Sequence, residues 1–300
     1  MSYPNHSKTR FFKYTSSPTA IKILETATVR YSSPLLFNDP FDIQSGLHFD
    51  FDIEVFPDKL LNHIKQLVES EHEPKLALHD PMGNIISLMR EKKSMHGILE
   101  QLTESVLRPL MVSLKDDLIK LQIDYQNGWR DFLPRLRVFS VAEENDNLLL
   151  WSHYGESHNG VVLEFLVLPE KDNPLCVAAP VIYSKDPPSL HTQEEWIDET
   201  FGIRTLNHEE LHFRYAYVKS DVWAYEKEWR VWDLKDEADD TLFSDYPLIQ
   251  KEIGSIYLGC RIKQKHKLSM ISLISQNYPW VKIYQAKKAD ARFKLEFDQL

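Results

Sequence analysis

Glycine is scarce in this sequence, with nine among 300 residues, and cysteine is scarcer still, with two. So few glycines leave little room for the glycine-rich loops that cradle phosphate groups. The two cysteines, Cys176 and Cys260, are too few and too far apart for a cysteine-based zinc site or a disulfide framework. Low cysteine use is typical of the reducing cytosol, so we predict a cytoplasmic location.

The sequence also lacks long apolar runs and an excess of positive charge. No stretch approaches the roughly 20 apolar residues that a membrane-spanning helix needs, and the first ten residues lack the apolar core of a signal peptide. Lysine and arginine number 35 against 45 aspartates and glutamates, which gives a formal net charge of -10. We therefore predict no membrane segment and no broad surface for nonspecific nucleic-acid binding.

Apolar residues are plentiful and occur in two different patterns. Short strand-like runs occupy residues 11–14 and 29–33, on either side of a predicted helix over residues 18–25, and return after residue 135. Hydrophobic residues make up 43% of the chain, which is enough for a sizeable core. The alternation of strand and helix signals predicts a mixed α+β fold.

Between residues 58 and 123 the apolar spacing is helical, and it predicts at least two amphipathic helices. Pro109 is expected to kink the second helix unless it lies near an end. We interpret residues 58–123 as a helical insertion in a single mixed domain spanning residues 1–300. The mixed part is expected to comprise residues 11–50 and 136–290.

A pair of glutamates in an aromatic-rich stretch is the strongest candidate for chemistry. If residues 223–232 form one extended strand, Glu226, Glu228 and Arg230 share a face. Neighbouring tryptophans and a tyrosine indicate an apolar wall around the carboxylates, and close carboxylates shift each other's proton affinity. An exposed ladder of glutamate and arginine on a sheet surface would have the same spacing.

A second group of polar residues lies in the segment 36–42, which predicts a turn. Taken alone, Asn38 and Asp39 are explained better by turn chemistry than by a functional role, and Phe37 and Phe41 are expected to anchor the turn in the core.

The segment 147–160 predicts a helical turn followed by a loop. Its histidines, His153 and His158, are five residues apart, one more than the step that places two metal ligands on one helix face, so we predict no histidine-built metal site. We expect the polar motif residues of the three segments to converge on one cleft. These residues are Asn38, Asp39, His153, Tyr154, Glu226 and Glu228.

The order of these segments resembles a widespread bacterial domain-of-unknown-function family. The resemblance rests on FNDPFD at residues 37–42, WSHYxxxHxG at residues 151–160 and WxxExExR at residues 223–230. More distantly, an opening strand, a short helix, a strand ending in two serines and a late Glu-x-Glu resemble the layout of ADP-ribosyltransferases. This likeness implies a mostly antiparallel sheet core and NAD as co-substrate.

Carried over by position, the resemblance implies that Glu228 holds the ribose 2′-hydroxyl and stabilises an oxocarbenium-like state. Glu226 would orient or deprotonate the acceptor. Ser32 or Ser33 would steady the catalytic glutamate or the nicotinamide ribose, and Tyr14 would lie near the nicotinamide ring. The remaining residues predicted to bind NAD are Asn38, His153 and Tyr154.

Bacterial proteins of this layout are often toxins or anti-phage effectors, so the resemblance implies a macromolecular acceptor and, as a further partner, an antitoxin or regulator. The acidic balance favours a protein or a single-stranded nucleic acid over duplex DNA as acceptor. One departure is plain: where those transferases usually carry His or Arg on the first strand, this sequence has Lys13 and Tyr14.

Two other functions fit the same segments. A metal-dependent phosphodiesterase or nuclease would hold a divalent cation through four carboxylates, those of Asp39, Asp42, Glu226 and Glu228. A non-catalytic binding module would keep the Glu-x-Glu as a structural feature and use an aromatic recognition surface. That surface would comprise Trp151, His153, Tyr154, Trp223 and Trp229.

Overall fold

The computed structural model describes residues 6–70, 81–92, 97–201, 214–237 and 239–300. The chain divides into two compact units. The first comprises Met1–Gln44, Leu133–Asp186 and Tyr217–Leu300, and the second comprises Ser45–Phe132 and Pro187–Ala216. None of the helices in these described ranges combines the length and apolar character needed to cross a bilayer.

The strands among the described residues all belong to the first unit. They are β1 (Arg10–Thr15), β2 (Thr28–Ser32), β3 (Leu136–Ala142), β4 (Val161–Leu166), β5 (Ala179–Pro180), β6 (Ile182–Ser184), β7 (Val218–Ser220), β8 (Glu228–Leu234), β9 (Phe243–Pro247), β10 (Ile253–Leu258), β11 (Lys282–Lys288) and β12 (Leu295–Gln299).

Ten of these strands form one sheet in the order β12-β11-β10-β4-β1-β3-β2-β9, with β8 pairing β3 and β5. Its pairs are antiparallel except β10 with β11, whereas β6 and β7 form a separate parallel pair. The predicted mixed α+β class with a mostly antiparallel sheet is therefore confirmed.

The helices among the described residues include α1 (Ser17–Thr26), α2 (Phe56–Glu69), α3 (Pro81–Lys92), α4 (Ile98–Leu102), α5 (Arg108–Phe132), α6 (Leu148–His153), α7 (Gln193–Thr200) and α8 (Gln264–Asn277). Short 3-10 segments occur at Pro34–Leu36, Leu133–Arg135, Pro169–Lys171, Pro174–Val177, Asp221–Glu226 and Gln250–Glu252, and a π-helical turn at Thr103–Leu107.

Helix α1 follows directly from its sequence. The Ser16 side chain accepts a hydrogen bond from the Thr19 amide, and Pro18 occupies the first turn, where its missing N–H is not needed. Ala27 ends the helix in the left-handed conformation. Apolar side chains of α1 and α8 join one core with the sheet, so the helices cover one face and position β1 and β2.

The second unit is helical in its described part. Helices α2, α3 and α5 share a core that includes Phe56, Leu60, Ile64 and Met111. The amphipathic helices predicted between residues 58 and 123 are present, although residues 71–80 and 93–96 lie outside the described residues. Pro109 is the second residue of α5, at the end of the π-helical turn. The second unit also includes residues 187–216, which the sequence did not group with it.

Close backbone contact at Gly160 gives a testable consequence for the first unit. A Cβ atom at this position would lie 2.3 Å from the Thr15 carbonyl oxygen and 2.8 Å from the Gly155 backbone. We expect Gly160→Ala to lower the free energy of unfolding by about 1–3 kcal/mol, because backbone atoms cannot move aside as side chains do. Urea unfolding measures this change.

The matched control is Gly128→Ala in α5, where nothing lies within 4 Å of the added Cβ. This variant should be as stable as the parent or about 1 kcal/mol more stable, because alanine favours helix. Equal unfolding midpoints for Gly160→Ala and the parent would contradict the expected clash.

Candidate functional site

The arrangement of strands around β3 creates the candidate site. One edge of β3 pairs along its whole length with β8, so β1 and β2 must share the other edge. Strand β1 meets β3 at Phe12 and Ala142, and β2 meets it at Ser32 and Val138, one residue pair each. The two strands therefore meet β3 four residues apart, and a cleft lies beside this stretch of β3.

The cleft has a volume of about 480 Å³, within the range of small-molecule sites. Its walls come from β1, β2, β3, α6, the turn after β2 and the segment around Lys219 and Glu228. Apolar lining includes Phe12, Phe37 and Val138. The polar and charged lining residues are Lys13, Tyr14, Arg30, Ser32, Asn38, Asp42, Ser140, His153, Tyr154, Lys219, Glu226 and Glu228.

Most residues predicted to form the site do line this cleft. They are Tyr14, Ser32, Asn38, His153, Tyr154, Glu226 and Glu228. Two others have different surroundings. The buried Ser33 hydroxyl donates to the Leu133 carbonyl at 2.7 Å, and Asp39 accepts from the Phe41 amide at 2.9 Å, as turn chemistry predicts. The prediction that Phe41 anchors the turn in the core is wrong, because its side chain is 74% exposed.

The prediction of one strand over residues 223–232 is also wrong. Glu226 ends the 3-10 segment Asp221–Glu226, Lys227 is left-handed with φ of 46°, and β8 begins at Glu228. Aromatic composition favours a strand here, but Asn147 holds the segment by donating its side-chain N–H to the Tyr225 carbonyl at 2.7 Å. The side chains of Glu226 and Glu228 nevertheless lie close together, because one ammonium group contacts both carboxylates.

That ammonium group belongs to Lys219 on β7. Its Nζ lies 2.6 Å from Glu226 Oε2, 2.9 Å from Glu228 Oε2 and 3.5 Å from Asp42 Oδ2. All four side chains are at least nine-tenths buried. Three carboxylates around a buried ammonium raise the pKa of Lys219 despite its burial, so this lysine stays charged.

Arg230 supplies the second buried cation. Its Nε contacts Glu228 Oε1 at 2.7 Å, and its Nη2 contacts Asp42 Oδ2 at 2.6 Å and Glu228 Oε2 at 3.0 Å. Glu228 also accepts a hydrogen bond from the Ser140 side chain. Together with Lys219, these groups donate four hydrogen bonds, which is about the number that one carboxylate can accept.

Glu226 is less heavily bonded than Glu228. Among the described residues its carboxylate has two donors, the Tyr154 hydroxyl at 2.9 Å and Lys219. A carboxylate accepts about four hydrogen bonds, so Glu226 retains capacity for a ligand that enters the cleft. Asn38 contacts the same Tyr154 hydroxyl and so supports this glutamate indirectly.

The two glutamates have opposite shifts in proton affinity. Burial raises the pKa of Glu226, and the charge and hydrogen bond of Lys219 offset this only in part. Burial also disfavours the charged form of Glu228, but Arg230 and Lys219 outweigh it and hold the pKa of Glu228 well below its ordinary value. Glu228 therefore favours its ionised form, whereas Glu226 takes up a proton more readily.

Sequence reasoning did not assign Lys13, Ser140, Lys219 or Arg230 a function. Lys219 comes from a three-residue strand whose parallel partner, β6, is equally short, so no hydrophobic period marks its position. Lys13 was noted only as a departure from the transferase pattern. A lysine at the centre of an otherwise apolar strand was the available signal, since Phe11, Phe12 and Tyr14 are all buried.

The aromatic recognition surface is not formed as the binding-module alternative requires. Trp151 is fully buried, with its indole N–H donating to the Asn145 carbonyl, and Trp229 is 7% exposed in the main core. His153 is exposed and lies about 6.4 Å from the rings of Trp223 and Tyr225. Only part of the predicted set therefore faces solvent.

The metal alternative also lacks support from the geometry. Within the ranges that the structure describes, no group of three or more His, Cys, Asp or Glu side chains is placed to hold a metal ion. Oxygens of Asp42, Glu226 and Glu228 contact the cations of Lys219 or Arg230, which a metal ion would have to displace.

Residues 150–231 match the model of a family described as protein of unknown function (DUF2971). No curated protein matches the chain, and no solved structure matches it. The predicted resemblance to a domain-of-unknown-function family is thus supported over this segment, which carries Tyr154, Lys219, Glu226 and Glu228. The likeness to ADP-ribosyltransferases stays a prediction.

Proposed function

We propose that the cleft binds NAD and transfers ADP-ribose to a macromolecular acceptor, as an ADP-ribosyltransferase-like enzyme. The observation that carries the proposal is the pair of cleft carboxylates that share Lys219 but differ in proton affinity. Transfer of a glycosyl group uses such a pair, one carboxylate that stays ionised and one that exchanges a proton. Glu228 and Glu226 divide these roles.

Glu228 is the electrostatic member of the pair. When the bond between nicotinamide and ribose breaks, its electrons leave with nicotinamide and positive charge builds on the ribose. A carboxylate that Arg230 and Lys219 keep ionised stabilises this charge without having to lose a proton first. Both cations are already in place, so the carboxylate needs no reorganisation during the reaction.

Glu226 is the proton-exchanging member. Its raised pKa lies closer to neutrality than that of a free glutamate, which suits a general base. The acceptor group loses its proton to Glu226 as it attacks the ribose carbon. Tyr154 and Lys219 hold the two carboxylate oxygens in place, and the remaining acceptor capacity receives the proton.

The rest of the cleft supplies the contacts that NAD requires. Tyr14 and Tyr154 offer aromatic surface, and Ser32, Asn38 and His153 offer polar groups. Tyr14 is fixed by donating its hydroxyl to the Glu144 carbonyl at 2.7 Å. Ser33 acts only indirectly in this scheme, by holding the end of β2 through Leu133.

The acceptor in this proposal is a protein or a single-stranded nucleic acid, since the acidic chain offers few charges to neutralise duplex DNA. An enzyme of this activity would serve as a bacterial toxin or anti-phage effector, and its partner would be an antitoxin or regulator. Release of nicotinamide from labelled NAD by the purified chain tests the proposal, and absence of release with and without cell lysate would reject it.

Glu226→Gln tests the division of roles. We expect this variant to lose transfer to the acceptor by at least about 100-fold while keeping part of the NAD hydrolysis, because water can still reach the ribose that Glu228 activates. Labelled NAD measures both products in one reaction. Equal losses of transfer and hydrolysis would contradict the separate role of Glu226.

A further inference from the structure

Lys13 differs from the other cations that line the cleft. Lys219 contacts three carboxylates, and Arg30 contacts the carboxylate of Asp245 at 2.9 Å. The Nζ atom of Lys13 instead donates to the backbone carbonyl of Ser140 at 2.7 Å. Within the described part of the chain, no carboxylate oxygen lies within 4.0 Å of this Nζ atom, the distance limit for an ion pair. One amine of the cleft is thus held in place without a paired anion.

The surroundings of Lys13 make this amine more nucleophilic than an ordinary lysine. Burial lowers its pKa to about 8, although the charges of Glu228 and Glu226 act in the opposite direction. At pH 7.5 about a quarter of such amines are uncharged, against about one in a thousand at the ordinary lysine value. Lys219, by contrast, stays protonated, because the three carboxylates around it raise its pKa.

We infer that Lys13 is a carbonyl-reactive amine, and that the cleft forms an imine on it with the open-chain aldehyde of a hydroxylated compound such as an aldose. The inference rests on the position of the amine, which lines the cleft and is fixed by its hydrogen bond to the Ser140 carbonyl. The charges of Glu228 and Glu226 act on it from beyond ion-pair distance. Desolvated lysines of this kind attack carbonyl groups in many enzymes.

The reaction balances without any further reagent. The nitrogen lone pair of Lys13 attacks the aldehyde carbon and forms the C–N bond, while the C=O π electrons move to the oxygen. The proton that the nitrogen loses goes to this oxygen, which becomes a hydroxyl group. Protonated Glu226 then protonates the hydroxyl group, whose C–O bond breaks as water leaves and the nitrogen lone pair forms the C=N bond; the raised pKa of Glu226 suits that donation. The products are one protonated imine, one water and the Glu226 carboxylate.

The cleft favours a carbonyl compound that carries hydroxyl groups. The imine is positively charged, and the nearby negative charges of Glu226 and Glu228 already act on the Lys13 nitrogen. The spare acceptor capacity of Glu226 and the hydroxyl of Ser32 can bind sugar hydroxyls. An apolar aldehyde would leave these groups without partners.

Reductive trapping tests the inference and requires no NAD. The full-length protein is treated at pH 7.5 with limiting D-glyceraldehyde or D-ribose and cyanoborohydride, which reduces an imine to a stable amine. Peptide mass spectrometry then compares Lys13 with Lys219 in the cleft and with Lys22, which is exposed on α1. We expect modification of Lys13 at least about tenfold faster than of Lys22, and none at Lys219.

Two variants complete the test. Lys13→Arg keeps a positive charge but cannot form an imine, so it should lose the fast-labelled site while its unfolding curve matches the parent. Glu226→Gln should slow labelling of Lys13 without moving it to another residue. Labelling of Lys22 at a rate equal to or above that of Lys13 would overturn the inference. Labelling of Lys13 by propionaldehyde, which has no hydroxyl groups, at a rate equal to that by D-glyceraldehyde would overturn the assignment to hydroxylated compounds.

Discussion

Glu228→Gln is expected to lower NAD cleavage by at least about 100-fold, the usual scale for loss of a preorganised group that stabilises transition-state charge. Glutamine has nearly the shape of glutamate but no negative charge. Nicotinamide release from labelled NAD measures the effect. Because both hydrolysis and transfer need the activated ribose, both should fall together, unlike the split expected for Glu226→Gln.

This substitution also changes the contacts of residue 228. The carboxylate accepts hydrogen bonds from Arg230, Lys219 and Ser140, and a glutamine N–H₂ would face donors where it needs acceptors. The variant should therefore lose stability as well as activity, and activity must be compared at a temperature where circular dichroism shows both proteins folded.

Glu252→Gln provides the matched control. Glu252 is 5% exposed and its pKa is also raised by burial, but it lies in the 3-10 segment Gln250–Glu252 and does not line the cleft. We expect NAD cleavage by this variant to equal that of the parent. If folded Glu228→Gln cleaved NAD as fast as the Glu252→Gln control, the transferase proposal would be rejected.

Lys219→Met should produce the largest change in stability. The substitution removes a buried ammonium and leaves three buried carboxylates, those of Asp42, Glu226 and Glu228, with Arg230 alone. Removal of one partner from a buried ion cluster typically costs about 3–5 kcal/mol, because the remaining charges stay desolvated. Urea unfolding at pH 8 measures this loss.

The loss should depend on pH with a definite sign. In the parent, burial already raises the pKa values of Asp42 and Glu226, and without Lys219 these values rise further. A carboxyl group whose pKa is higher in the folded state binds protons on folding, so its contribution favours the folded state at low pH and declines as pH rises. The deficit of Lys219→Met should thus be smaller at pH 5 than at pH 8.

The double variant Lys219→Met with Glu226→Gln should recover part of the lost stability, because it removes one uncompensated charge. Lys22→Met on the exposed face of α1 serves as the control and should change stability by no more than about 0.5 kcal/mol. A Lys219→Met protein as stable as the parent at both pH values would show that the cluster is not desolvated as the structure indicates.

Local signals in the sequence were sufficient for several features. The serine cap, the proline in the first turn and the apolar spacing of α1 define that helix without reference to distant residues. The helices between residues 58 and 123 follow from the same periodicity. The expectation of a common cleft for Asn38, His153 and Glu228 came from polar residues beside aromatic ones, which a packed core does not need.

The stretch around Glu226 shows where local signals were misleading. Its composition favours a strand, yet the chain turns at Lys227, and Asn147 and Tyr154 of a distant segment hold the turn. Phe41 is apolar by composition but exposed in the structure. Propensity describes a residue among its neighbours in sequence, whereas the turn at Lys227 is decided by partners 72 and 78 residues away from Glu226 and Tyr225.

The sequence by itself determined the mixed α+β class, the helices between residues 58 and 123, the end of β2 and the presence of two glutamates among aromatic residues. Only the tertiary structure decided that Lys219 contacts both glutamates and Arg230 contacts Glu228, that Glu228 stays ionised while Glu226 gains proton affinity, and that the Lys13 amine lines the same cleft. The physical reason is that ionisation depends on burial and on charges a few ångströms away, and the fold alone brings β1, β7 and β8 to that distance.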